Sequence, residues 1–228
     1  MLFQKIYRHR LPAVLTLQEV KSLLAAMSGT SRLMAELIYG SGLRVMECCQ
    51  LRVKDLDFEG NLIFVAAGKG GTERYTLLPD RIVSDLRKHL SKVKAIFDKD
   101  RAAGMGPVWL PVTLAEKYPA AGSEWGWQWV FPSNSLASDP IARVVRRQHL
   151  SDVMIQKAVR NAVGKAGLSQ SASVQTLRHC FACHMLLRGT DVRQVQDYLG
   201  HAHIETTLLY NQVVKTLRAS PQSPLDLL

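Results

Sequence analysis

Gln175-Thr176-Leu177-Arg178-His179-Cys180-Phe181-Ala182-Cys183-His184 opens the stretch that decides how this chain folds, and it runs on through Asp191 and Leu199-Gly200-His201 to Tyr210. Thr176 to Arg188 reads as one amphipathic helix. Leu177, Phe181, His184 and Arg188 share a face with Cys180 beside them, and Gly189 ends the helix. Asp191 caps a second helix over Val192–Leu199, with Gln194 three residues on and Gly200 closing it. A short helix then leads into Tyr210. Arg178, His201 and Tyr210 therefore stand at or near element ends, where chemistry is usually placed.

Upstream, Thr16-Leu17-Gln18-Glu19 is a capping-box start, followed by Val20, Leu23, Leu24 and Met27 at helical spacing. A second helix is expected from about Ser31 to Tyr39, and a third from Val45 to just before Asp55. Asp55 to Phe58 and Asn61 to Ala66 flank Glu59-Gly60, and Arg74 to Leu78 follows Gly68-Lys69-Gly70-Gly71. This pattern reads as a small antiparallel sheet. Asp80 to about Ala102 is a long charged helix, and Ser151 to Lys165 another. The fold class is therefore α+β, mostly helical with a small antiparallel three-stranded sheet. No internal repeat is visible, and Ala219 to Leu228, with two prolines, reads as an irregular tail.

The 228 residues suit one domain with a full core. No apolar run reaches the roughly 18 residues of a membrane span, and the N-terminus lacks signal-peptide character. The expectation is a soluble, intracellular protein. Lys and Arg number 29 against 19 Asp and Glu, a balance of +10 that points to a polyanion, most often nucleic acid. The charge is unevenly spread. Between Gly104 and Pro140 lie all four Trp, five of the nine Pro and one basic residue, Lys117, against Glu116, Glu124 and Asp139, so the rest of the chain carries +12. Cys180-Phe181-Ala182-Cys183-His184 matches the pattern for c-type haem attachment and half of a zinc site. No second Cys/His pair completes a zinc site, and small Cys side chains on a packed helix are ordinary core.

Arg44 after Ser41-Gly42-Leu43, Lys69 in the glycine turn, Arg178, His201 and Tyr210 make a set rich in cations and free of paired carboxylates. Such a set suits a phosphodiester. A guanidinium grips two phosphate oxygens and stays charged, and fixed cations stabilise charge on the non-bridging oxygens in place of a metal. A tyrosine is a possible nucleophile, and a Lys or His can protonate the leaving oxygen. Taken singly, each residue also has a plain reading as surface or core.

The ordered set Ser41-Gly42-Leu43-Arg44…Glu47, Gly68-Lys69-Gly70, Leu177-Arg178-His179…Phe181-Ala182…His184, Leu199-Gly200-His201 and Thr206-Thr207…Tyr210 resembles the catalytic domain of the tyrosine recombinases. Within that family the chain looks most like the integron integrases, which carry an extra segment before the second Arg box. Here that segment spans about 104–149, and the resemblance covers Leu11 to Leu228. It implies a catalytic domain over 13–218, a linker remnant over 1–12, a tail over 219–228, and no N-terminal clamp domain. It also implies that Arg44 and Arg178 clamp the scissile phosphate. Lys69 would help protonate the departing 5′ oxygen, His201 would hydrogen-bond the phosphate, and Tyr210 would attack to give a 3′-phosphotyrosine, with Glu47 in support. No ATP, metal or organic cofactor is required. The implied partner is DNA, bound by a homo-tetramer that is monomeric without it, in a bacterial, nucleoid-associated setting. The cassette sites of the integron branch are folded single strands with extrahelical bases. Arg143, Arg146, Arg147, Lys157 and Arg160 are candidate DNA contacts. Trp125, Trp127 and Trp129 fit stacking on unpaired bases. Their alternation equally fits a strand with one buried face.

This chain departs from the family at Gln175, which stands where the family's H-x-x-R box has its His. Gln donates hydrogen bonds but does not titrate near neutrality, so it cannot be a general base. The expectation is a slow or inactive enzyme that still binds DNA. The alternative is a DNA-binding relative that does not cut.

Overall fold

The computed structural model describes residues 12–66, 73–139 and 143–217. Helix α1 (Leu17–Ala25) begins with the expected capping box. Glu19 N–H donates to the Thr16 hydroxyl at 3.2 Å, and the Glu19 carboxylate accepts from Thr16 N–H at 2.8 Å. Helix α2 (Gly29–Ser41) stops at Gly42, which adopts the left-handed conformation with φ 66°. Helix α3 (Val45–Cys49) is shorter than the sequence suggests. Arg52 turns extended because its side chain is drawn to the carbonyls of Trp127 and Trp109, at 2.5 and 2.8 Å, and a 3-10 turn covers Val53–Asp55.

Strands β1 (Leu56–Asp57), β2 (Leu62–Val65) and β3 (Arg74–Leu77) form the expected antiparallel sheet in that order, with Ile63 opposite both Leu56 and Thr76. Helix α4 (Asp80–Ala102) follows, and then α5 (Val112–Lys117). The tryptophan alternation does not make a strand. Trp125–Trp127 is a 3-10 turn, and Trp129 makes an isolated antiparallel bridge with Arg52. A second sheet that the sequence reading did not anticipate, β4 (Pro132–Asp139) paired with β5 (Val144–His149), closes this region. Helices α6 (Asp152–Lys165), α7 (Val174–Leu187), α8 (Val192–Leu199) and α9 (Ile204–Leu217) complete the described chain. Tyr210 lies near the middle of α9 rather than at the end of a short helix.

Helix α7 sits between two clusters of core side chains. Leu177 and Cys180 join the larger one, with Leu23, Leu37, Ile38, Ile63, Leu86 and Ile155. Phe181, Cys183 and Leu186 join Val195, Leu199, Tyr210 and Val213 in the smaller one. The helix is therefore buried on almost every side, where its sequence suggested a single apolar face. The segment from Gly104 to Trp129 has a small core of its own, Val108, Leu110, Ala121 and Trp129.

All four cysteines are free and buried, and burial pushes the Cys180 thiol up to about 11 and that of Cys183 to about 12. Both are therefore thiols near neutrality, and no cluster of three metal-ligating side chains occurs among the described residues. Cys180 and His184 instead clasp the chain before α1. Leu15 N–H donates to the Cys180 sulfur at 3.2 Å, and His184 Nε2–H donates to Leu15 O at 3.0 Å. That leaves His184 Nδ1 to accept from the Tyr39 hydroxyl at 2.9 Å. No helix among the described residues is long and apolar enough to cross a membrane.

The α2–α3 turn is where one atom matters most. A Cβ at Gly42 would lie 2.5 Å from the Phe181 ring and 2.9 Å from the Leu199 side chain, at a backbone angle that disfavours any Cβ. Gly42→Ala should therefore cost about 2–4 kcal/mol, combining overpacking with strain. Gly29→Ala, with φ 58° but open space around it, should cost about 1 kcal/mol. Urea denaturation of the two variants checks this ordering.

Candidate active site

Arg178, in the second turn of α7, is 2 % exposed. Its Nη1 donates to Gly42 O at 2.5 Å and its Nη2 to Leu199 O at 2.7 Å. Those carbonyls belong to the C-terminal ends of α2 and α8, where unpaired C=O groups carry partial negative charge and favour a cation. Nη2 also lies 3.2 Å from His201 Nε2. A guanidinium only donates, so Nε2 accepts, and the proton sits on Nδ1, which donates to the Thr207 hydroxyl at 2.9 Å. Burial, then the charge of Arg44, pulls Arg178 down to about 10, so it is still a cation at neutral pH.

Glu47 joins the arginines. One carboxylate oxygen accepts from Arg44 N–H at 2.7 Å and the other from Arg44 Nη1 at 2.7 Å. Arg74 approaches as a two-pronged fork, Nη1 and Nη2 at 3.0 and 2.7 Å. Arg178 Nη1 lies 3.9 Å away. Burial would raise the Glu47 pKa, but the hydrogen bonds and charge of Arg74, with those of Arg44, outweigh it and hold Glu47 at about 2. Three guanidiniums against one carboxylate leave a local excess of two positive charges. Arg44, whose side chain is 44 % exposed, carries that excess toward solvent while bonding Gly200 O at 3.3 Å.

His201 and Tyr210 complete the cluster. Their rings are nearly parallel, 15° apart with centroids separated by 6.2 Å. Burial, then the charges of Arg178, Arg44 and Arg74, lowers His201 to about 3, so it is neutral at physiological pH. The Tyr210 hydroxyl lies 2.8 Å from His179 Nδ1. Burial raises the Tyr210 pKa, and Arg178 and Arg44 oppose that rise. The arrangement offers a cationic pocket for a monoanion, a neutral imidazole and a phenol that can serve as nucleophile.

Arg44, Glu47, Arg178, His201 and Tyr210 thus come together, while Lys69 lies outside the described residues. Gln175 is exposed on the first turn of α7. Arg74 was not singled out from sequence, although a signal was there. In β3 it shares the inward face with buried Thr76 and, beyond it, Leu78, and Tyr75 points outward. An arginine at an inward strand position needs a buried partner. Arg143 is exposed at the β4–β5 turn with φ 53°, and Lys157 and Arg160 are exposed on α6. Arg146 and Arg147 face inward instead. Arg146 pairs with Asp139 at 3.4 Å, and Arg147 Nε and Nη2 bind Asp100 at 2.5 and 2.8 Å. Trp129 is 3 % exposed, with the Arg52 guanidinium 3.8 Å from its ring centre. Trp125 and Trp127 are half-buried, beside Lys94 and Lys54.

Residues 13–216 match the phage integrase family. An integrase/recombinase of Escherichia coli is 46 % identical over 219 residues, which are 96 % of this chain and 65 % of that protein. The tyrosine recombinase XerC of Halalkalibacterium halodurans is 32 % identical over 90 % of this chain and 59 % of its own length. The chain thus spans between about half and two thirds of the length of the curated relatives it matches. Among solved structures, that of XerA recombinase superposes with a TM-score of 0.61 at 25 % identity, covering 94 % of this chain and 67 % of that one. The catalytic domain of bacteriophage HP1 integrase shares the fold, with a TM-score of 0.52 at 17 % identity, over 93 % of this chain and 98 % of that one.

The Glu47 pairing makes a pH-dependent prediction. Its carboxyl titrates near 4.5 when unpaired and near 2 in the folded protein. Its contribution, about 3 kcal/mol, is therefore full above pH 4.5 and is lost as pH falls toward 2. Glu47→Gln should be less stable by that order at pH 7, and the gap should close across this window. A gap independent of pH in acid-titrated urea melts would show that Glu47 is not ion-paired.

Proposed function

Because this chain belongs to the phage integrase family, we propose that it is the catalytic portion of a site-specific DNA recombinase that cuts and reseals strands through Tyr210. The observation that carries this reading is the joint placement of Arg178, His201 and Tyr210 beside Arg44, with the cluster's one carboxylate consumed by arginines. Arg44 and Arg178 bind the scissile phosphate and neutralise charge on its non-bridging oxygens. Tyr210 attacks the phosphorus, the bond to the 5′ oxygen breaks, and Lys69 supplies the proton that leaves with it. The 3′-phosphotyrosine keeps the bond energy, so a second 5′-hydroxyl reseals the strand without ATP. His201 has to present a proton at Nε2 to hold the phosphate. Burial and the three guanidinium charges keep this imidazole neutral, and an incoming anion offsets those charges and so favours proton uptake.

The integron-type reading adds the substrate. Residues 104–129 of the segment of about 104–149 pack around a small core of their own, which supports its being an added DNA-binding element. Trp125 and Trp127, half-buried next to lysines, suit stacking of an extrahelical base from a folded single strand, whereas Trp129 serves as the floor for Arg52. Arg143, Lys157 and Arg160 are exposed for phosphate contact. The active form on DNA is a tetramer assembled from monomers.

Gln175 favours a second reading, a DNA-binding relative that does not cut, and trapping separates the two. A pool of nicked duplexes with randomised cores lets the severed 5′ end diffuse away, so any 3′-phosphotyrosine survives denaturing electrophoresis. The chain is expected to form an adduct that Tyr210→Phe abolishes. Gln175→His should form it at least tenfold faster, since it restores the titratable side chain of the family's H-x-x-R box. No adduct from either the natural chain or Gln175→His would leave only the DNA-binding reading.

A further inference from the structure

The geometry points to His179 as the residue that accepts the Tyr210 proton during attack, a catalytic role built one helical turn beyond Gln175. This inference rests on the strand-transfer reading above. Gln175 and His179 are four residues apart on α7 and so lie on one face. Gln175 is exposed, whereas His179 is half-buried with Nδ1 2.8 Å from the Tyr210 hydroxyl and its ring centroid 5.6 Å from the phenol ring. A phenol O–H is a stronger acid than a neutral imidazole N–H, so the hydroxyl donates and Nδ1 offers its lone pair, with the imidazole proton on Nε2.

The surroundings keep that lone pair available. Burial, and then the charge of the adjacent Arg178, lowers the His179 pKa, so the ring is unprotonated near neutrality. His201, the other imidazole on Tyr210, is engaged elsewhere. Its Nε2 faces Arg178 and its Nδ1 faces Thr207, and it meets the phenol only as a parallel ring. Among the described residues, His179 is the base hydrogen-bonded to the nucleophile.

The step balances. As Tyr210 Oη forms its bond to phosphorus, its proton passes to His179 Nδ1 to give an imidazolium, and the bond to the 5′ oxygen breaks with a proton supplied from Lys69. On resealing, a 5′-hydroxyl attacks and returns its proton to the Lys69 amine, while the tyrosyl oxygen leaves and takes its proton back from His179.

His179→Asn separates proton transfer from positioning. The Asn carbonyl oxygen takes the place of Nδ1 as an acceptor for the hydroxyl, but it does not take up the proton. With a nicked duplex recovered from the pool, single-turnover adduct formation by His179→Asn should be about 10²–10⁴ slower than by the natural chain, with DNA affinity unchanged. Replacing Tyr210 by a fluorinated tyrosine of lower pKa should restore most of that loss in His179→Asn. Adduct formation by His179→Asn within about threefold of the natural rate would overturn the inference. A slow variant that fluorination does not rescue would overturn it as well, because the contact would then only position the ring. If Gln175→His forms an adduct and the natural chain forms none, the inference is overturned; if neither forms one, the strand-transfer reading falls and takes this inference with it.

Discussion

A single guanidinium, that of Arg178, is buried where four elements meet, and the site is organised around keeping it satisfied. An uncompensated buried charge costs several kcal/mol. Here the compensation comes from the carbonyl ends of α2 and α8, the ring nitrogen of His201 and the nearby carboxylate of Glu47. Each partner is tied down in turn. Gly42 turns left-handed at the end of α2 with its carbonyl on Arg178, and the space above its Cα is filled by Phe181 and Leu199. Packing and electrostatics are thus one problem, since the smaller core fixes the helix ends and the helix ends fix the charge.

A second consequence concerns preorganisation. An anion arriving at Arg178 meets a cation whose orientation is already set by two backbone carbonyls, so little reorganisation accompanies binding. The cost has been met in folding, through the burial of α7 on nearly every side. Arg44 is more exposed than Arg178, and its bonds to Glu47 and Gly200 hold it in a fixed direction.

Much of this was legible in the sequence. The capping box at Thr16, the extent of α4 and α8 and the three-stranded sheet followed from spacing and punctuation, and the grouping of Arg44, Arg178, His201 and Tyr210 from the family resemblance. What escaped had physical reasons. Helix α3 ends early because Arg52 is drawn to carbonyls about 57 and 75 residues away, Trp109 and Trp127, and local periodicity cannot register such a contact. The β4–β5 hairpin is polar on most of one strand, so it lacks the alternation that marks a half-buried sheet. Arg146 and Arg147 looked like DNA contacts because charge is visible in a sequence and pairing is not. Their partners Asp139 and Asp100 lie across a hairpin and on another helix.

The close seating of Arg74 against Gly200 has an evolutionary corollary. A Cβ at Gly200 would come within 2.8 Å of the Arg74 side chain, at a backbone angle of φ 62° that already favours glycine. The same Arg74 supplies two of the hydrogen bonds on Glu47. Loss of Glu47 strands arginines, loss of Arg74 leaves a half-paired carboxylate, and a side chain at Gly200 displaces Arg74. These three positions are therefore epistatic. A substitution at any one changes the cost of a substitution at the other two.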